Sequence, residues 1–479
     1  MKVHFNRTKV IATVGPASNS KEMLLELVKA GADVFRLNFS HGSHEDHLKV
    51  IQYVRELNQE HNLNIGLLQD LQGPKIRTRE VENNGVNLAP GSRLVLTNEK
   101  LVGNAERIST TYLEMADDVK PGDRILLDDG KLELKVTEKQ GRDVITEVVY
   151  GGVLKSKKGI NLPNTAVSIP ALTEKDREDL LFGLEHNVEW IALSFVRKAD
   201  EVHELKELIR AKGKKCLVVS KIEKPEAIAN IDAIIEASDA VMVARGDLGV
   251  EVPMEDVPML QKMIVEKCNK LAKPVIIATQ MLESMITSPR PTRAETSDVA
   301  NSVLDGADVV MLSAESASGQ YPLQAVQAMN DIIRKVEETA ESVYYRNNDY
   351  VLQNRDENFY SNNVVMNACR LARDTGARAV IGMTSSGYTA FRISSHRPKA
   401  NIFVFTYDKS LLNTLSLLWG VRAFYYDKEK FNSTDETFQD IKKLLVQQGL
   451  LREGDVFINT ASMPISLNHR TNMLKLSIA

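Results

Sequence analysis

Lys221, Glu223 and Asp247 are the residues whose types and spacing most suggest chemistry. Lys221 and Glu223 alternate at the end of the apolar run Leu217-Val218-Val219, so a strand there sends both side chains out of one face. A second run, Ala240 to Ala244, ends in Arg245-Gly246-Asp247-Leu248-Gly249, and a helical pattern lies between the two. Parallel strands joined by a crossover helix point the same way, so the carboxylates of Glu223 and Asp247 face one cavity. Two hard oxygen ligands, with space for water and phosphate oxygens, suit Mg2+ better than zinc, which prefers His and Cys. A structural ion pair is the plainer alternative, but burying three charges together is costly without a ligand.

Such a cluster needs strands that end at one rim. From Thr8 the chain alternates strand and helix: TKVIATVG, SKEMLLELVKAGA, ADVFRLNFS, a helix through His61, then NIGLLQDLQ. Near Gly73 the texture changes to short strands such as SRLVLTNE, DRILLDDGKLELKV and DVITEVVYGGV, divided by Gly, Asn and Asp turns. After SIPALTEKD the alternation resumes with WIALSFV, KCLVVSKIE, DAVMVARGD, KPVIIATQM and ADVVMLSAE, which brings the strand count to eight. The α/β pattern predicts a TIM (β/α)8 barrel from 1–72 and 170–345, close to the ~250 residues typical of that fold. Residues 73–169 form an inserted β-barrel lid, and 346–479 a C-terminal α/β domain with strands ARAVIGMTSSG, NIFVFTYD, VRAFYYD and DVFINTA. Catalysis on such barrels sits where strands end. The second strand ends in Arg36-Leu37-Asn38-Phe39-Ser40-His41, the third in Asp70, the seventh in Thr279-Gln280, and the eighth in Ser313 and Glu315.

Composition narrows the partners. The chain has 479 residues, 60 Lys+Arg against 64 Asp+Glu, a net charge of -4, and no long run of one sign, so nucleic acid is not suggested. Cys216, Cys268 and Cys369 stand singly without metal-type spacing, as reduced core cysteines of a cytosolic protein do. No signal-type apolar core and no bilayer-length stretch appears, so no membrane partner is expected and a soluble, cytoplasmic protein is. Walker, Rossmann and protein-kinase patterns are also missing, which leaves phosphate binding to Arg36, Arg77 and Lys221. Some residues have plainer accounts. His41 taken alone could cap a helix or face solvent, Asp128 and Asp129 before Gly130 suit a turn, and Met281 and Met285, four apart on a helix face, suit the core.

The blocks TKVIATVGPAS, RLNFSHG, QGPKIRT, KKGINLP, SKIE, MVARGDLGVE, ATQMLESM, PTRAE and DVVMLSAESASGQYP resemble the pyruvate kinases, and the likeness runs along essentially the whole chain. The resemblance implies phosphoryl transfer from phosphoenolpyruvate to ADP, giving pyruvate and ATP, by a homotetramer. It makes Glu223 and Asp247 ligands of Mg2+ (or Mn2+). Lys221 stabilises the phosphoryl group in flight and the enolate left behind. Arg36 meets the substrate phosphate, the backbone amides of Gly246 and Asp247 meet its carboxylate, and Thr279 and Ser313 line the pocket where the enolate is protonated. Asn38, Ser40 and His41, with Arg77 and Lys158 of the lid, match positions that meet the nucleotide or a monovalent cation.

The family's default K+ lies near Asn38, Ser40, Asp70 and the residue at Leu71. Most familiar members carry Glu where this chain has Lys75, and Thr and Lys where it has Leu71 and Gln72. This triple swap resembles the potassium-independent branch, in which an ammonium replaces the ion, so K+ is not expected to be required. Thr384-Ser385-Ser386-Gly387-Tyr388-Thr389 resembles the loop that holds a sugar-phosphate effector, with Trp419 and Arg422 matching its far side only loosely; an ordinary strand-to-helix turn is the alternative. Two other functions stay open: a lyase or aldolase on the same barrel, which leaves Arg77, Lys158 and the lid unexplained, and a catalytically silent metabolite sensor, against which intact Lys221, Glu223 and Asp247 speak.

Overall fold

The computed structural model describes residues 5–163, 165, 167–345, 357–427, 433–464 and 469–479. Eight parallel strands close into a barrel in chain order: Lys9–Val14, Val34–Asn38, Gly66–Asp70, Trp190–Leu193, Leu217–Ile222, Ala240–Ala244, Val275–Ala278 and Val309–Leu312. They are the eight expected strands. Their sequences are nearly continuous apolar runs because both faces are covered, by helices outside and by packed side chains within.

The interior follows a two-residue period. Ile11, Val34, Leu68, Ala192, Val219, Met242, Ile276 and Met311 fill the barrel. Two residues beyond five of these, on the same face, stand Thr13, Arg36, Asp70, Ser194 and Lys221. Core and rim are therefore one pattern, apolar where the barrel is dry and charged where it opens.

Between the third and fourth barrel strands the chain leaves at Gly73 and builds a six-stranded sheet with a two-stranded ribbon, Val86–Leu88 paired with Gly152–Leu154. This domain has its own core, including Leu94, Ile108, Ile125, Leu134 and Val144. Gly73 has φ 69°, and a Cβ there would meet Ser194 and Phe195 at 2.8 and 2.9 Å, so the exit needs glycine twice over.

The C-terminal sheet contains the four expected strands in parallel, Ala379–Met383, Asn401–Thr406, Val421–Tyr425 and Val456–Ala461. A fifth, Met473–Ile478, adds antiparallel at one edge and was not anticipated. This domain closes the end of the barrel opposite the rim: Leu417 joins the barrel interior cluster, and Trp190 Nε1 donates to Thr414 O at 3.2 Å. Arg397, 1 % exposed, pairs with Asp308 at 2.9 Å and donates to Gly306 O at 2.8 Å. Arg397→Ala strands the Asp308 charge in a dry interface, so a loss of about 3–5 kcal/mol in unfolding free energy is expected by urea denaturation. An unchanged midpoint contradicts it.

Candidate active site

Asp70 lies at the centre of the rim, 1 % exposed, with a cation on each oxygen. Arg36 Nε donates to Oδ2 at 2.6 Å, and Lys221 Nζ lies 3.2 Å from Oδ1. Burial works against the Asp70 charge, yet Lys221 and Arg36 together hold the carboxyl below its usual range. Arg36 is turned further by Thr13 Oγ1 at 3.0 Å. Lys221 Nζ also donates to Ser194 Oγ at 2.7 Å and lies 3.0 Å from Glu223 Oε1. Burial disfavours its charge, but Asp70 and Glu223 outweigh that and raise its pKa, so the ammonium stays protonated across the physiological range.

Glu223, fully buried, follows the fifth strand directly. Its Oε2 accepts from the Phe195 backbone N–H at 2.7 Å. Phe195 has φ 56°, a costly conformation for a bulky residue, and it is this twist that presents the amide. Beyond its ion pair with Lys221 at 3.0 Å, Oε1 has no hydrogen-bond partner among the described residues. Burial is the main force raising the Glu223 pKa above the usual carboxylate range, with Lys221 opposing and Asp247 adding to the rise. A carboxylate oxygen held by one ammonium, beside a second carboxylate, keeps lone pairs that suit a hard cation. No group of three or more His, Cys, Asp or Glu placed to hold a metal occurs among the described residues. Two carboxylate ligands leave the remaining positions of a hard divalent cation to water and substrate oxygens.

Asp247 lies in the first turn of the short helix Arg245–Glu251 after the sixth strand. The crossover before that strand is two short helices, Pro225–Ala229 and Ile231–Ala237, meeting at Asn230 rather than one run. The Gly246 N–H donates to Thr279 Oγ1 at 2.7 Å, so the amide expected to meet the substrate carboxylate has a protein partner here. Thr279 has φ 70° and Gln280 φ 53°. A β-branched residue in this region carries strain of about 1–3 kcal/mol. Arg245 clamps the turn by donating to Thr279 O at 2.9 Å while pairing with Asp298 at 2.7 Å. Across the rim, Ser313 N–H donates to Glu315 Oε2 at 2.7 Å, and Leu282 N–H reaches Oε1 at 3.2 Å, so Glu315 ties the ends of the seventh and eighth strands together. Met281 and Met285 are fully buried, as expected; only Met285 is helical, in the 3-10 turn Glu283–Ile286.

Asn38 Oδ1 accepts from Ser40 N–H at 3.1 Å, and His41 is exposed with its carbonyl against His47 Nε2 at 3.0 Å. In the lid, Arg77 pairs with Gly159 across an antiparallel bridge, which puts it beside Lys158. Lys158 Nζ lies 2.8 Å from Asp128 Oδ1, while Asp128 and Asp129 take left-handed turn conformations. Lys75 is exposed and lines a crevice between lid and rim with Asp129, Phe195 and Asp247. Leu71 O accepts from Ser194 Oγ at 2.7 Å.

The strand-to-helix loop of the C-terminal domain borders a cavity of about 310 Å³ lined by Thr384, Ser385, Ser386 and Thr389, with Tyr407, Ser462, His469 and Arg470 opposite. Gly387 is the loop's hinge, its N–H bonded to Thr384 Oγ1 at 2.9 Å. Trp419 and Arg422 do not line this cavity. Trp419 is buried against Arg397 and Arg7, and Arg422 lies over Phe5. The far wall belongs to the segment that enters the unanticipated fifth strand.

Thr13, Ser194 and Phe195 were not singled out from sequence. The first two stand at barrel-strand C-terminal ends, where the two-residue period alone could have flagged them; the Phe195 twist has no local signature.

Fold and rim together define a TIM-barrel enzyme carrying an inserted sheet domain and a C-terminal α/β domain. The family models for the pyruvate kinase barrel domain and the pyruvate kinase alpha/beta domain match residues 5–326 and 362–477. The chain is 43% identical over 479 residues to a pyruvate kinase of Geobacillus stearothermophilus, covering 98% of this chain and 80% of that one. It is 41% identical to a pyruvate kinase of Clostridium perfringens, covering 98% and 99%. A solved pyruvate kinase from Cryptosporidium parvum superposes with a TM-score of 0.92 at 34% identity, covering 99% of this chain and 96% of that one. The chain belongs to the pyruvate kinase family, whose members are phosphotransferases of glycolysis.

Proposed function

We propose that the chain transfers the phosphoryl group of phosphoenolpyruvate to ADP, breaking the bond from phosphorus to the enol oxygen and forming one to the ADP β-phosphate. The observation that carries this is the part-buried Lys221 ammonium held between Asp70 and Glu223 at 3.2 and 3.0 Å. A fixed, dry positive charge favours negative charge that moves from phosphoryl oxygens to enolate oxygen without reorganising. Arg36 positions the phosphate, Gly246 and Asp247 the carboxylate, and Asn38, Ser40, His41, Arg77 and Lys158 the nucleotide. Thr279 and Ser313 border the place where the enolate carbon takes its proton. Glu223 and Asp247 would hold Mg2+ or Mn2+, which when bound neutralises charge on the transferring group. Phosphoenolpyruvate-dependent ATP formation from ADP, measured in a coupled assay, tests the proposal; its absence in folded protein rejects it.

K+ is not required in this account. Three of the four positions that would hold it already spend an oxygen on the protein: Asn38 on Ser40 N–H, Asp70 on two cations, Leu71 on Ser194. The Lys75 side chain has no ion pair among the described residues and is exposed in the crevice it shares with Phe195 and Asp247, free to supply a cation. Near-full activity is expected with tetramethylammonium as the sole monovalent cation, and K+ dependence is expected to appear in Lys75→Glu. Strong K+ activation of the unsubstituted enzyme contradicts this.

The C-terminal cavity is proposed to take a sugar phosphate, its hydroxyls facing Arg470, and so to serve allosteric control. Calorimetric titration with sugar phosphates is expected to give heat that Arg470→Gln abolishes; no heat and unchanged kinetics with every sugar phosphate tested contradict it. A homotetramer, cytoplasmic placement, and division into 1–72 with 170–345, 73–169 and 346–479 complete the proposal. Among the described residues no helix is long and apolar enough to cross a membrane.

A further inference from the structure

The loop that follows the second barrel strand carries Asn38, Ser40 and His41, and it is gripped by a helix on the far side of the lid. Glu174–Glu185 begins where the chain returns from the inserted domain. Lys175 Nζ on its first turn donates to the Phe39 carbonyl at 2.9 Å, in the middle of the loop. Asp179, one turn on and 3 % exposed, pairs with Lys175 and also lies 2.7 Å from His44 Nε2. The same carboxylate therefore orients the lysine and the residue that opens the next helix. Around it the Phe39 ring stacks on His47 at 4.1 Å, and His44 stacks on Phe182 at 4.4 Å.

This helix does not move freely relative to the rim. Gln69, next to Asp70, donates through Nε2 to Asp179 O at 2.6 Å, and a side chain at Gly183 would run into Gln69. Nor is it free of the lid. Asp176 caps its first turn together with Thr173 and accepts from the Gly73 N–H at 3.1 Å, at the outgoing hinge. One helix turn thus holds the outgoing connection of the lid, the returning connection, and the Phe39 carbonyl.

We propose that Lys175 and Asp179 are positioning residues that fix the Asn38–His41 loop in register with the lid hinge, and so set affinity for the nucleoside diphosphate without touching it. This rests on the proposed nucleotide role of that loop. Lys175 is half exposed, and its ammonium bonds to the Phe39 carbonyl and Asp179 among the described residues, so its loss releases the loop while leaving Lys221, Glu223 and Arg36 in place.

The test compares Lys175→Met, Lys175→Arg and His41→Ala in steady-state assays on the full chain, with thermal melting as the folding control. Lys175→Met is expected to raise the KM for ADP by at least about tenfold, the equivalent of one charge-assisted hydrogen bond. The KM for phosphoenolpyruvate should stay within about twofold, and Lys175→Arg, which keeps the donor, should restore most of the loss. Should Lys175→Met melt early, Asp179→Asn replaces it, since the amide keeps the shape and loses the charge that aims the lysine. Equal rises in both KM values, or no rescue by arginine, overturn the positioning role. A raised ADP KM in His41→Ala alone overturns it and spares the reading of the loop, whereas an unchanged ADP KM in both variants removes the loop's nucleotide role and the proposal together.

Discussion

Replacing Lys221 by methionine is expected to lower kcat by about a thousandfold or more, the upper range for removing one preorganised electrostatic group. The methionine stem follows the lysine's path, so the barrel should remain packed while the charge disappears. That charge is well prepared: Asp70 and Glu223 raise the lysine's pKa and Ser194 Oγ fixes its direction at 2.7 Å. Arg36 cannot move in, because it is committed to Asp70 and Thr13. With Arg36 still in place for its proposed role at the substrate phosphate, the KM for phosphoenolpyruvate should change far less than kcat. Single-turnover mixing of enzyme, phosphoenolpyruvate and ADP measures the loss in the chemical step directly. A variant with unchanged turnover would mean that the rim cluster is a structural ion network and not the catalytic centre.

Glu223→Gln is the second large effect. The amide keeps the volume and an oxygen for the Phe195 N–H, but removes the negative charge and places an NH2 where a cation would bind. Losing partners that merely orient a ligand costs about 10–100-fold in metal affinity, so losing a ligand should reach at least the upper end. The Mg2+ concentration for half-maximal activity is therefore expected to rise by about 100-fold or more, with Mn2+ binding to the protein alone, followed by paramagnetic resonance, weakening in parallel. Lys221 should remain protonated through Asp70, so a drop in kcat at saturating metal is expected to be smaller than in Lys221→Met. Equal metal affinity in the two proteins would place the cation elsewhere.

All eight barrel strands were legible because parallel strands buried on both faces are written as apolar runs, and their charged ends follow from the period of two. Lys221, Glu223, Asp70 and Arg36 meet in one cluster for that reason. Phe195 and Thr279 take left-handed conformations imposed by tertiary packing, which no local pattern announces. Lys175 and Asp179 have the i, i+4 spacing of an ordinary solvated helix pair, and only the fold brings the Phe39 carbonyl within 2.9 Å. The strand Met473–Ile478 pairs with residues close in sequence but sits at a half-exposed edge, where weak burial leaves a weak apolar signal. Trp419 and Arg422 were placed at the effector loop by loose correspondence alone; the folded chain uses Trp419 to cover the Arg397–Asp308 pair instead.

The most direct measurement is ATP formation by the full chain from phosphoenolpyruvate and ADP, followed with pyruvate release, with and without Mg2+. One ATP per pyruvate, dependent on the divalent cation and lost in Lys221→Met, is the predicted result. Pyruvate or phosphate released without ATP, or ATP formed equally well after the cation is chelated, would contradict it.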